Sequence, residues 1–248
     1  MARPHQHYTQ LMHAHKHPFP QPHHTSPASE TVDKRLRDLA NGKNTYGPPT
    51  SFHHPFSWIP HPRSVAIVSG GGAGSPPLVR KESGRGYVAG TWGGYAFVGV
   101  YFCPNKPLAV LLEYLEALGP VVRRLAPLPV LVLGDLNAKS VSWGSAATDP
   151  RGRAVEEWAA EIGVSPVNRG RTHTCVCAQG GSVVDVTFAT HVATRRVRDW
   201  RVLDVETLSD HNYIRFEIST FPAPNGIPPK RTSGLSAVGS LSARRPNK

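Results

Sequence analysis

VLVLGDLNAKS, residues 130–140, decides how this chain is read. Val130–Leu133 is a short, unbroken apolar run, the pattern of a strand buried on both faces. The run stops at Gly134, and Asp135 and Asn137 follow one residue apart. Taken alone, Asp135 suits a turn. A carboxylate and an amide together at the mouth of a buried strand call for partners or a ligand, because burying them unpaired is costly.

Partners lie downstream. In SVVDVTFAT, residues 182–190, Asp185 has a valine on each side and interrupts an apolar strand; a structural ion pair or a strand end would also place it there. Leu208-Ser209-Asp210-His211 precedes NYIRFEI, and alone suits a loop. As a set, these residues suit phosphodiester cleavage, which needs an oriented water and relief of charge on the phosphoryl oxygens. Asp135 can orient or deprotonate the water, and Asn137 can hold the water or a phosphoryl oxygen. Asp210 can fix a cation or another residue, and His211 can stabilise the transition-state charge. Mg²⁺ is held by one or two carboxylates plus substrate phosphate, and Asp135 and Asp210 can supply them.

The order of motifs carries a resemblance. VYFCPN, GDLNAKS, WGS, D-x-RG, SVVDVTFA and LSDH follow one another between residues 63 and 218. In that order they resemble the endonuclease/exonuclease/phosphatase family, and more narrowly the apurinic-endonuclease-like domain of non-LTR retrotransposons. The resemblance implies an α/β fold, a partial four-layer α/β/β/α sandwich with its site at the strand mouths. It gives Asp135 and Asn137 the handling of nucleophile and phosphate, and matches Asp210 and His211 to the Ser-Asp-His end of the site. It gives Asp185 the orientation of the histidine and Tyr101 a phosphate contact. It implies Mg²⁺ or Mn²⁺ at Asp135 and Asp210, DNA as partner, and no small-molecule cofactor. Asn105, Lys139, Ser140, Arg151 and Thr174, within or beside the motifs, are expected to contact nucleic acid. In such elements the domain nicks target DNA and a reverse transcriptase primes from the nick.

The chain departs from the family at its start. A strand bearing an asparagine and a strand ending in a metal-binding glutamate are not found. Glu30 and Glu82 are the glutamates before residue 113, and Glu82 lies in the turn-like VRKESGRG. The expectation is an N-terminally incomplete domain, with inactivity as one consequence. A catalytically dead nucleic-acid-binding fragment is the alternative, and a small-molecule phosphoesterase of the same fold a second.

Composition sets the frame. The net charge is +11 and the pI near 10.0, a balance that suits a polyanionic partner. Residues 221–248 hold five basic and no acidic side chains, so much of the excess lies in a flank. Residues 1–60 are His/Pro-rich and expected to form a disordered leader. Residues 61–220 are expected to form the domain and 221–248 a disordered basic tail. Cys103, Cys175 and Cys177 are too few and odd for a disulfide framework, which suits reduced thiols. No membrane span is seen, and an intracellular, nuclear place of action is expected.

Local signals complete the expectation. Strands are expected in SVAIVSG, GRGYVAGTW, YAFVGVYF, PVLVL, THTCVC, SVVDVTFAT, VRDWRVLD and NYIRFEI. Gly93-Gly94 suits a hairpin. Leu108 to Leu118 shows helical spacing, with Asn105 as cap and the first stretch of the helix ending at Gly119-Pro120. A second helix is expected over 149–163, capped by Asp149 and closed by Gly163. The spacing of Val32, Leu36 and Leu39 suits one further short helix.

Overall fold

The structure, a computed structural model, describes residues 6–10, 56–61, 65–70, 76–204 and 209–219. The candidate helix near Val32–Leu39 and the basic tail lie outside the described residues.

The centre is a six-stranded sheet. Its strands are β4 (Val79–Gly84), β5 (Tyr87–Trp92), β6 (Tyr95–Tyr101), β7 (Val130–Asp135), β8 (Val164–Pro166) and β11 (Asp185–Thr190), in the order β4-β5-β6-β7-β11-β8. β5 and β6 form the expected hairpin: Gly93 and Gly94 take φ of 57° and 82°, the left-handed pair that matches strand twist. β4 was not expected, since VRKESGRG carries turn residues. Its hairpin with β5 closes at Gly86, whose φ is 75° and where a Cβ would stand 2.6 Å from the Tyr101 carbonyl. β6 and β7 run parallel, which requires a crossover, and helix α1 (Leu108–Leu125) provides it.

α1 differs from the sequence expectation at both ends. Pro107, not Asn105, precedes its first turn, with no side-chain cap. The helix also continues through Gly119-Pro120. An interior proline costs about 3 kcal/mol, whereas each large apolar side chain buried contributes about 1.5–3 kcal/mol. Val121, Val122 and Leu125 are all buried beyond the proline, so burial wins. Helix α2 (Pro150–Glu161) matches expectation: Asp149 accepts the Gly152 amide at 2.6 Å, Pro150 opens the helix, and Gly163 follows at φ 72°.

The faces of the sheet divide by alternation. Val98, Val132 and Phe188 face Leu111, Leu115, Leu118, Val155 and Trp158 of the two helices. Phe97, Leu131 and Ala189 face Trp200, Ile214, Phe216 and Ile218. Those last four belong to β12 (Val197–Val202) and β13 (Ile214–Ile218). With β1 (Gln6–Gln10) these strands form a second sheet, order β1-β13-β12. The described residues thus make helix, sheet and sheet layers; the expected fourth layer is not among them. β1 pairs with β13, and β2 (Phe56–His61) pairs with β3 (Val65–Gly70). β1 and β2 are two strands inside the segment expected to lack regular structure. QHYTQ is polar and FSWIPH carries Pro60, so neither gives a clear strand signal, and the backbone pairing places them. THTCVC shortens to β9 (Cys175–Cys177), paired with β10 (Gly180–Ser182). A four-residue helix, α3 (His191–Thr194), follows β11. No described helix is long and apolar enough to cross a membrane.

Gly134 marks where the sheet is tightest. A Cβ there would lie 1.9 Å from the Val100 carbonyl oxygen, so backbone would have to move. Gly134→Ala is expected to cost at least ~1–3 kcal/mol, the range for overpacking, read as a shift in the urea midpoint. An unchanged midpoint would show that β6 and β7 separate freely.

Candidate active site

Three adjacent strands present three polar side chains in one row. Tyr101 pairs with Asp135 across β6 and β7, and Asp135 pairs with Asp185 across β7 and β11. Cross-strand partners project to the same face. Asp185 opens β11 rather than interrupting it, because Val183 and Val184 form a buried link between strands.

Both carboxylates are buried, at 2% and 1% exposure. The Asn137 amide donates to Asp135 Oδ1 at 2.7 Å, and Asn137 Nδ2 donates to Asp135 Oδ2 at 2.6 Å and to the Phe102 carbonyl at 3.0 Å. A left-handed Asn137, φ 47°, allows this double grip. The carboxylate and amide of the opening motif are therefore each other's partners. This corrects one detail of the sequence reading: the Asn137 amide hydrogens hold Asp135, which leaves its Oδ1 as the atom for ligand contact. Burial, and then the nearby Asp185 charge, raise the Asp135 carboxyl to about 7, against the lowering effect of His211 and Asn137.

His211 completes the row. Its Nδ1 lies 2.9 Å and 3.1 Å from the two Asp185 oxygens. Burial pulls the imidazole pKa down, but the Asp185 bond, a Cys175 contact and the charges of Asp185 and Asp135 outweigh it and lift it to about 11. Backbone bonds hold the segment in place: Val176 N to Asp210 O at 2.6 Å and Asn212 N to Thr174 O at 2.8 Å. Tyr101 is lifted to about 12, first by burial and then by Cys103, so its hydroxyl stays protonated.

The remaining expected residues divide. Asn105 and Lys139 are exposed on the loops after β6 and β7, open to a polymer. Thr174 and Ser140 are not: both are fully buried. Thr174 Oγ1 accepts the Val184 and Asp185 amides, each at 3.1 Å, and so supports the row from behind. Ser140 donates to Glu156 and accepts from Ser142, joining its loop to α2. Arg151 is half-buried and bonded to main-chain carbonyls, not presented as a phosphate contact. Asp210 is exposed, and among the described residues no three His, Cys, Asp or Glu side chains form a metal-holding group. Glu82 lies on β4 and binds Arg124 of α1 at 2.8 and 3.0 Å. Two contributors had no sequence signal. Asn168 bridges the Asp185 carbonyl (3.1 Å) and the Thr187 amide (2.9 Å), and Cys175 touches His211. A lone Asn in a loop and a Cys in a C-x-C pair carry no spacing that announces either role.

The sequence profile described as endonuclease-reverse transcriptase matches residues 95–215, the stretch that carries Tyr101, Asp135, Asp185 and His211. Residues 95–215 are thus similar in sequence to the endonuclease-reverse transcriptase family. The family resemblance read from the motifs is thereby borne out. The endonuclease domain of TRAS1, a telomere-specific non-LTR retrotransposon, is similar in structure: 23% identity, TM-score 0.56, 77% of this chain and 92% of that one. A 3'-5' exonuclease from Neisseria meningitidis aligns at 16% identity and TM-score 0.53, over 66% and 80% of the two chains. An AP endonuclease from Archaeoglobus fulgidus aligns at 14% and 0.54, over 66% and 79%. These likenesses show the endonuclease/exonuclease/phosphatase fold. No curated protein is similar to it in sequence.

Proposed function

We propose that the chain is a retrotransposon endonuclease domain that nicks DNA by hydrolysing one phosphodiester bond. The observation that carries this reading is the row of Tyr101, Asp135 and Asp185 with His211 bound to Asp185. Asp135, poised at about 7, takes a proton from a water as its oxygen bonds to phosphorus. The bond to the leaving sugar oxygen breaks, and that oxygen takes a proton from solvent. The His211 imidazolium, oriented by Asp185, and the protonated Tyr101 hydroxyl stabilise the charge on the phosphoryl oxygens. Asn137 holds Asp135 in place throughout. Exposed Asn105 and Lys139 are assigned to the DNA backbone, and action on genomic DNA assigns the protein to the nucleus.

A divalent cation, Mg²⁺ or Mn²⁺, suits the charge at Asp135, a buried carboxylate beside the second buried carboxylate of Asp185, whose oxygens already face His211. Asp135 would hold it with substrate phosphate, with Asp210 the second carboxylate that the family resemblance assigns, and it would supply charge for the phosphoryl oxygens.

Purified protein is expected to convert supercoiled plasmid to the nicked circle with Mg²⁺, and Asp135→Asn to abolish this. Equal nicking by Asp135→Asn would overturn the reading. The rate is expected to rise with pH through a midpoint near 7 as Asp135 ionises, and to hold until His211 loses its proton toward 11. A kcat/KM profile over roughly pH 5.5 to 9.5, which brackets that midpoint on both sides, checks the rising limb. Raising Mg²⁺ is expected to move the midpoint down, because a cation favours the carboxylate.

A further inference from the structure

We propose that Arg151 is a positioning residue for this centre, fixing through main-chain carbonyls the two loops that follow the catalytic strands. The proposal rests on the nuclease reading above.

Arg151 rises from the first turn of α2. Its Nη1 donates to the carbonyls of Pro104 (3.0 Å) and Lys106 (3.3 Å), and its Nη2 to those of Cys103 (3.4 Å) and Leu136 (3.3 Å). The first three lie on the loop after Tyr101, and the last stands between Asp135 and Asn137. The guanidinium also stacks 5.0 Å from the Phe102 ring centroid. Phe102 itself links the two strands: its amide donates to the Asp135 carbonyl at 2.8 Å, and its carbonyl accepts from Asn137. One side chain therefore sets the spacing of Tyr101 against the Asp135–Asn137 pair.

The turn Asp149-Pro150-Arg151-Gly152 is built to hold it there. Asp149 Oδ1 accepts the Lys139 amide at 3.3 Å, and the Asp149 amide donates to the Lys139 carbonyl at 2.9 Å. Gly152 passes so close that a Cβ would lie 1.8 Å from the same carbonyl. The turn thus docks on the loop after Asp135, and the arginine reaches across to the loop after Tyr101. A planar guanidinium offers several fixed donors to such a fan of carbonyls; a lysine ammonium on a flexible stem does not.

The test compares wild type, Arg151→Ala and Arg151→Lys in the full chain, with nicking kinetics, DNA binding at several salt concentrations, and amide hydrogen exchange. Both variants are expected to lose about 10²-fold in kcat, the scale of a small misplacement of reacting groups, with DNA affinity and its salt slope unchanged. Sub-denaturing guanidinium is expected to restore at least tenfold of the loss in Arg151→Ala. A salt slope reduced by about one, with weakened binding and unchanged kcat, would make Arg151 a phosphate contact and overturn the proposal. Wild-type kcat in Arg151→Lys would overturn it also, and covers the case in which the alanine variant does not fold. Exchange at the Phe102, Lys106 and Asn137 amides is expected to quicken at least tenfold in Arg151→Lys, with the β11 amides unchanged. That arm needs no cleavage: absence of wild-type nicking would fail the nuclease reading alone, and unchanged exchange at those amides would fail this proposal alone.

Discussion

His211→Ala is expected to lower plasmid nicking by about 10³-fold, within the range for loss of a positioned acid–base or charge-stabilising group. The imidazole lies against Asp185, is lifted to about 11, and so carries its charge throughout the neutral range. Removing it takes away the cation nearest the Asp135–Asp185 pair. It also leaves Asp185, 1% exposed, without its partner, so melting temperature must be measured beside activity. The expected loss is in kcat, because the charge on the phosphoryl oxygens grows toward the transition state. A variant that keeps kcat and raises only KM would show that His211 binds DNA without assisting cleavage.

The second large effect is on stability. Asp185→Asn keeps the shape of the side chain and removes the charge that holds His211. Breaking a buried pair by removing one partner costs about 3–5 kcal/mol. The sign with pH follows from the histidine. Its folded pKa is raised from 6.5 to about 11, so the stabilisation is fully present below 6.5 and is lost as pH climbs toward 11. Asp135, raised to about 7, acts in the same direction: ionising it in the folded state becomes unfavourable as pH rises through the range from its unfolded value. Wild type is therefore expected to lose stability from about pH 6 to about pH 9. The deficit of Asp185→Asn is expected to be largest at the lower pH and to shrink at the higher. Urea midpoints at the two pH values decide it, and an equal deficit at both would separate His211 from Asp185.

What the sequence made legible was the row itself. Asp135, Asn137 and Asp185 are polar residues at the ends of apolar strands, and few arrangements tolerate that without mutual contact. Side-chain alternation likewise placed Leu131 and Val132 on opposite faces. Legibility failed where the deciding partner is distant in sequence. Pro120 reads as a helix end until the buried Val121, Val122 and Leu125 are seen beyond it. Thr174 and Ser140 read as nucleic-acid contacts, yet their oxygens serve buried amides and Glu156. Arg151 reads as a phosphate contact because nothing local shows the four carbonyls that it meets.

The parallel pairing of β6 with β7 sets when this site comes into being. Tyr101 and Asp135 cannot meet until the whole of α1 has crossed the sheet, and His211 reaches Asp185 only when the segment after residue 208 closes on β9. The contacts that join Tyr101, Asp135, Asp185 and His211 are all long-range, and loop closure makes such contacts slow to form. A chain still emerging from the ribosome, or one cut before His211, lacks the completed row. The row is therefore expected to assemble late in folding, after the strands that carry it have paired.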